Sequence, residues 1–222
     1  MTTPDLIDRL ASGVTPVRRL RRPAMRAAGW LVLASIIAGL LIAGQGIRPD
    51  FRQSLADPGF LIGLAAAVLT GVCSATAAFM LSLPDRSRGW ALLPLPSLAL
   101  WLSTIGYQCL TNWIAFDPDG MRWGETARCF ATLVLASLPL SLAILVMLRY
   151  AALLRPSLVT VTAGLAVSAI TAAIMSLIHN FDSSILILIW NFGVAAVIVG
   201  LSGTLGRRML AWFATRLTLP QG

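Results

Sequence analysis

The sequence has no lysine, one histidine and three cysteines, and only 12% of its 222 residues are charged. A soluble domain carries about 25% charged residues, so soluble folds, including soluble nucleic-acid binders, are excluded despite a net charge of +8. A single histidine rules out the zinc-protease motif and any site built on several histidines. The absence of a C-x-x-C motif argues against a disulfide oxidoreductase.

Long apolar runs fill most of the chain, and 57% of its residues are hydrophobic. A helix of about 20 apolar residues crosses a bilayer, whereas an open strand leaves its backbone groups unsatisfied in lipid. We therefore predict an all-α, polytopic membrane bundle of six transmembrane helices. The predicted spans are 27–44, 60–83, 90–108, 129–148, 158–178 and 184–205. Pro94, Pro96 and Pro139 fall inside these spans, where we expect kinks that serve packing.

The arginines are distributed unevenly between the two sides of this topology. Thirteen of the seventeen fall on the side that holds both termini, and four fall on the other side. Because cytoplasmic loops are enriched in arginine, we expect both termini to be cytoplasmic. The predicted organisation is a tail at 1–26, a transmembrane domain at 27–206 and a second tail at 207–222. The span centres carry no charged residue, which argues against a pump or coupled transporter.

Two cysteines stand at neighbouring span ends on the predicted outer side. Cys109 ends the third span and Cys129 opens the fourth, so antiparallel packing would bring both to one membrane boundary. Two interpretations stay open: a structural disulfide or inert thiols, the bridge contributing about 3 kcal/mol, and a redox or soft-metal sensor. Cys73 lies in mid-span and is expected to be a packing residue.

A short turn with polar side chains joins the fifth and sixth spans on the same side. Asp182 has a local role available as a cap of the sixth helix, and His179 has one at the carbonyl end of the fifth. Alternatively, His179 joins Cys109 and Cys129 as a third metal ligand, or acidifies a thiol. We expect no resident cofactor, and a transient soft-metal ion is the only ligand that this cluster indicates.

The N-terminal segment lacks the apolar core of a cleavable signal peptide, and we expect it to form a cytoplasmic tail. Its basic run is explained by attraction to anionic lipid. An apolar stripe at helical spacing precedes that run, and such a stripe is typical of a helix that docks in a protein groove. The residues predicted to bind a partner are Leu6, Ile7, Leu10, Val14, Val17, Arg19 and Leu20.

Five segments together are similar to bacterial NrsF-like proteins. They are PVRRLRRP before the first span, RPDF…LADPGFL after it, LPLPSLALWL in the third span, GYQCL…RCF…LP…LRYAALLRP, and HNFDSSILILIWNFG. The resemblance covers essentially the whole chain. It implies a six-span anti-sigma factor of the bacterial inner membrane that holds an extracytoplasmic-function (ECF) sigma factor of the sigma-F type inactive. The implied partners are that sigma factor, on the cytoplasmic side, and membrane lipid, without direct contact to nucleic acid.

The resemblance also implies that Cys109 and Cys129 sense oxidants or heavy-metal stress, and we add His179 and Asp182 to the predicted sensing group. One departure is Asn191, where the family motif often has a histidine. Two other classes stay open: a membrane enzyme or small-solute carrier that uses the outer Cys/His cluster, and a structural protein without a ligand. The uncharged spans and the amphipathic tail favour a regulator that is not an enzyme.

Overall fold

The computed structural model describes residues 22–112, 123–148 and 156–178, together with Asp5 and Ser12. Every regular element in this part of the chain is helical, which confirms the all-α class. The elements are α1 Pro23–Gln45, α2 Phe51–Ser54, α3 Pro58–Leu81, a 3₁₀ helix Arg88–Leu92, α4 Leu95–Asn112, α5 Trp123–Leu148 and α6 Pro156–Ile178. Five stretches of these residues are long and apolar enough to cross a membrane. The predicted sixth span, 184–205, lies outside the described residues.

Local sequence explains where the first two long helices end and begin. Gly46, with a φ of 83°, stops α1 in a conformation that suits glycine, and its N–H donates to the carbonyl of Ile42 at 2.8 Å. Asp57 then caps α3, because its carboxylate accepts a hydrogen bond from the N–H of Gly59 at 2.9 Å. Pro58 occupies the first helical position, where no backbone N–H is needed.

The prolines of the predicted spans fall in two different settings. Pro139 lies inside α5, as expected. Pro94 instead lies between the 3₁₀ helix and α4, and Pro96 lies in the first turn of α4. A first-turn proline loses no intrahelical hydrogen bond. At this position the chain therefore passes from a 3₁₀ segment to an α-helix, and both prolines lie within one apolar stretch, Arg88–Gly106, as predicted.

The centre of the bundle is the contact between α3 and α6, the most extensive between any two described elements. Small residues supply the buried face of α3 at this level: Ala66, Ala67, Thr70, Gly71, Ser74, Ala75, Ala77 and Ala78. The approach is closest at Gly71, where an added Cβ atom would lie 2.6 Å from both Cγ1 and Cδ1 of Ile170. Small residues let the helix backbones approach in this way, and van der Waals packing then holds helices together in lipid.

We expect Gly71→Ala to destabilise the bundle by about 1–3 kcal/mol, because the added methyl group overpacks the contact with Ile170. The measurement is thermal unfolding of the purified protein in detergent. Gly39→Ala is the matched control, since a Cβ atom at Gly39 meets nothing within 4 Å. Combining Gly71→Ala with Ile170→Ala should cost less than the sum of the single changes. Equal effects of Gly71→Ala and Gly39→Ala would contradict this account of the packing.

The antiparallel helices give the bundle two distinct ends. The Arg48 end holds the last residue of α1, the first turn of α3, the N-terminal part of α5 and the last turn of α6. There Thr132 of α5 bonds to Gln45 of α1, and the backbone of Arg48 bonds to Leu177 of α6. The Arg26 end holds the start of α1 and the last turns of α3 and α5, because Arg26 contacts Phe79 and Met147. The described residues that are candidates for a functional role lie at these two ends.

Candidate functional site

A charged pair in the loop after α1 organises the Arg48 end. The Nε atom of Arg48 donates to Oδ1 of Asp50 at 2.9 Å, and its Nη2 atom donates to Oδ2 at 2.6 Å. This two-point geometry is the strong form of an arginine–carboxylate pair. The Arg48 side chain is only 13% exposed, whereas that of Asp50 is 39% exposed. The pair therefore lies at a boundary between the protein interior and its surroundings.

The same arginine joins this loop to the end of α6. The backbone N–H of Arg48 donates to the carbonyl of Leu177 at 3.2 Å, and Nη1 donates to that of Ser176 at 3.4 Å. Its guanidinium carbon lies 5.3 Å from the ring centroid of Phe60 on α3. Carbonyls in the last turn of a helix have no partner within the helix, and here Arg48 satisfies two of them. We call Arg48, Asp50 and these two carbonyls the Arg48 clasp.

The hydrogen bonds from Arg48 hold the pKa of the Asp50 carboxyl below its ordinary value, although partial desolvation opposes this shift. We expect Asp50→Asn to lower the melting temperature at neutral pH. A carboxyl with a lowered folded-state pKa stabilises the fold fully above its unfolded value, about 3.9, and this contribution is lost as the pH falls through the folded value. The difference between the variant and the wild type should therefore shrink in acid.

The control for this measurement is Asp57→Asn, which removes a charge at the same end of the bundle. Asparagine caps helices as well as aspartate does, so the hydrogen bond to Gly59 should survive the change. A melting temperature difference for Asp50→Asn that stays constant from neutral pH into acid would contradict the role given to the Arg48–Asp50 pair.

The predicted cysteine positions lie on helices that reach the Arg48 end. Cys129 is in α5, three residues before Thr132, whose hydroxyl donates to Oε1 of Gln45 at 2.8 Å. Cys109 is in α4, five residues beyond Thr104. Thr104 itself lies near this end, because a Cβ atom at Gly63, in the second turn of α3, would be 3.3 Å from its hydroxyl oxygen. For Cys109 and Cys129 the structure gives only the helix on which each lies.

The remaining predicted site residues fall outside the described part of the chain. They are His179, Asp182, Leu6, Ile7, Leu10, Val14, Val17, Arg19 and Leu20. Within the described residues, no group of three or more His, Cys, Asp or Glu side chains is arranged to hold a metal ion. Cys73 is a free, half-buried cysteine within α3, as expected for a packing residue.

The Arg26 end has a buried cation that the sequence analysis did not single out. Helix α1 begins at Pro23, four residues before the predicted span, so Arg26 lies inside the helix and is only 7% exposed. One terminal nitrogen donates to the carbonyl of Met147, and the guanidinium carbon lies 5.0 Å from the ring centroid of Phe79. Its Nη1 atom is buried and finds no hydrogen-bond partner among the described residues. A proline followed by an apolar run was the signal for this earlier helix start.

Charge is distributed differently at the two ends. The described residues near the Arg26 end include Arg22, Arg26, Arg86 and Arg88 with one acidic residue, Asp85. Those of the loop at the Arg48 end are Arg48 and Arg52 with Asp50 and Asp57. The Arg26 end is thus clearly positive, and this loop carries no net charge.

Comparison with known proteins gives a family for this arrangement. The family model described as NrsF, negative regulator of sigma F, matches residues 10–212. A protein of Azospira oryzae described as "Probable anti-sigma-F factor NrsF" is 27% identical over 218 residues, which cover 96% of this chain and 100% of that protein. No solved structure shows a significant match. The match of the family model across nearly the whole chain confirms the resemblance found in the sequence: this chain belongs to the NrsF family of negative regulators of sigma F, an anti-sigma factor family rather than an enzyme class.

Proposed function

We propose that the chain holds an ECF sigma factor at the bacterial inner membrane through its cytoplasmic tail and releases it when outer cysteines meet an oxidant or a soft metal ion. The single observation that carries this proposal is the family match over residues 10–212, which covers the transmembrane domain and part of the tail. A negative regulator of a sigma factor needs a surface that binds its partner and a means of release. The proposal assigns these two tasks to opposite ends of the bundle.

The orientation follows from the charge of the two ends. Arginine-rich segments stay on the cytoplasmic side of a membrane, and with the six predicted spans thirteen of the seventeen arginines fall on the side of the Arg26 end. That end also continues directly into the tail, since α1 begins at Pro23. Sigma factors act inside the cell, so a tail on this side is within reach of the partner. The Arg48 end, with the helix termini that carry Cys109 and Cys129, then faces outward.

The tail residues that the structure describes support a docking helix. Asp5 and Ser12 are both helical and exposed. In the tail helix that we propose, the two residues would share one face at about 100° per residue, opposite the predicted stripe of Leu6, Leu10 and Val14. Polar residues on one face and apolar residues on the other are typical of a helix that lays its apolar side into a groove of a partner protein. Such a groove on the sigma factor would be covered while the regulator holds it.

The test is co-purification of the sigma factor with membranes that contain the full-length chain. The sigma factor should appear with the membranes at rest and leave them after exposure to an oxidant or a soft metal ion. A chain that lacks residues 1–21 should insert and fail to retain the partner. Recovery of the sigma factor with the shortened chain would contradict docking through the tail, and a partner that stays bound under every stress would contradict sensing.

A further inference from the structure

Three side-chain hydrogen bonds join α1 to α5 at three levels of the bundle. At the Arg48 end the hydroxyl of Thr132 donates to Oε1 of Gln45 at 2.8 Å. One turn of α1 away from Arg26, the indole nitrogen of the fully buried Trp30 donates to the carbonyl of Leu140 at 3.1 Å. At the other end Arg26 donates to the carbonyl of Met147. The two helices are therefore tied along most of their length.

These hydrogen bonds matter because the hydrophobic effect does not hold helices in register within lipid. Interhelical hydrogen bonds and close packing set their relative positions instead. The contact between α3 and α6 is close-packed and made largely of small apolar residues around Gly71 and Ile170. Helix α1 has the smallest buried share of the candidate spans and α6 the largest. The fold thus contains a tightly packed pair, α3 and α6, against which α1 and α5 also pack. Helices α1 and α5 are joined to each other by the three hydrogen bonds.

We propose that α1 and α5 form the unit that carries a displacement from the Arg48 end to the tail, with Trp30 and Arg26 as its positioning residues. The identity of the signal rests on the proposed function, because Cys129 lies on α5 three residues before Thr132. A shift of α5 pulls on α1 through all three hydrogen bonds. Arg26 is the last of the contacts and lies four residues from the exposed Arg22, next to the tail.

The unsatisfied hydrogen-bond donor of Arg26 is compatible with more than one position of α5 relative to α1. Its Nη1 atom is buried without a partner among the described residues, and a buried donor that lacks an acceptor raises the free energy of that state. A displacement of α5 that brought an acceptor to this nitrogen would lower that free energy. Two positions of one helix pair are what a switch requires, since each ligand must prefer one of them.

Coupling of this kind is reciprocal, which makes it measurable without any sensing chemistry. If a displacement of α5 alters the tail, then a partner bound at the tail must alter the outer turn of α5. Phe130, which is 51% exposed in that turn, is the place for a reporter. The experiment uses the full chain with Phe130→Cys labelled with bimane, with Cys73, Cys109 and Cys129 all changed to Ser, in lipid nanodiscs. Adding the purified sigma factor should shift the bimane emission.

Trp30→Phe keeps an aromatic ring and removes only the indole donor, so the sigma factor should still bind. The equilibrium constant of the displacement, read from the emission shift, should fall about threefold, which is the effect of one membrane hydrogen bond on an equilibrium constant. Thr132→Val is a second variant that removes a hydroxyl and keeps the side-chain shape. Trp101→Phe on α4 is the matched control, because Trp101 is also buried but belongs to a core that contains no residue of α1 and only Leu133 of α5. It should leave the shift unchanged.

Two results would overturn the coupling: no emission shift when the sigma factor binds, or equal shifts in Trp30→Phe, Thr132→Val and Trp101→Phe. Binding is read separately, from elution of the sigma factor with the nanodiscs. The reporter protein has no native cysteine, so failure of the sensing proposal leaves this test intact. A bound partner without a shift refutes the coupling and leaves docking through the tail standing.

Discussion

Changing both Leu6 and Leu10 to Asp should free the sigma factor in unstressed cells. These residues form the apolar stripe of the tail, and in the proposed complex their side chains lie in an apolar groove of the partner. A carboxylate placed there loses its water without gaining a hydrogen-bond donor, at a cost of about 3 kcal/mol or more. That cost corresponds to roughly a hundredfold loss of affinity. The measurement is a sigma-factor-dependent reporter together with co-purification from membranes.

Ser12→Asp is the matched control for this pair of changes. It adds the same carboxylate at a residue that is helical and exposed and that would lie on the opposite face of the proposed tail helix. Repression should therefore stay intact in Ser12→Asp and be lost in the Leu6→Asp, Leu10→Asp variant. Full repression in both variants, with equal amounts of protein in the membrane, would refute docking through the apolar stripe.

Changing Cys109 and Cys129 to Ser should leave the sigma factor bound under oxidant or metal stress. A disulfide between them, or a shared soft-metal ion, would bring their Cα atoms within about 6 Å and so fix the ends of α4 and α5 relative to each other. Moving a two-state bundle from mostly bound to mostly released takes roughly 5 kcal/mol of differential stabilisation. A metal site or a disulfide supplies free energy of this order, whereas an exposed ion pair does not.

The readout is induction of the same reporter by graded metal or oxidant, with repression before stress as the internal reference. Cys73→Ser is the control, because Cys73 is a half-buried residue in the interior of α3 and is not on α4 or α5. It should respond like the wild type. If the variant that lacks Cys109 and Cys129 releases the sigma factor normally, these cysteines are structural and the stimulus is sensed elsewhere.

Most of the bundle was predictable because lipid imposes a simple rule on sequence. Long apolar runs must be helical, and five of the six predicted spans coincide with helices in the described residues. The change from 3₁₀ helix to α-helix around Pro94 and Pro96 was not predicted, and the reason is local. Hydropathy reports whether a segment is apolar, but it does not report where one helix stops and another starts within an apolar run. The 3₁₀ segment Arg88–Leu92 is part of the same apolar stretch as α4.

The polar contacts between helices were not predictable, because each depends on a residue far away in the sequence. Trp30 bonds to a carbonyl 110 residues later in the chain, and Thr132 bonds to a side chain 87 residues earlier. The sequence did contain a signal, since Gln45 and Trp30 are unusual within an apolar run. No rule of spacing, however, names their partners. Arg48 and Asp50 stood in a motif shared with the family, but the bonds to the end of α6 required the fold.

In the proposed orientation, the Arg48 clasp also bears on which stresses would leave the bundle unchanged. The hydrogen bonds from Arg48 hold the pKa of the Asp50 carboxyl below its ordinary value. The pair would therefore persist in surroundings acidic enough to protonate an ordinary aspartate, whose pKa is about 3.9. The loop and α6 would stay joined, so acidification alone would give the bundle no reason to rearrange. Selectivity among environmental insults would then come as much from a contact that resists one of them as from a group that reacts with another.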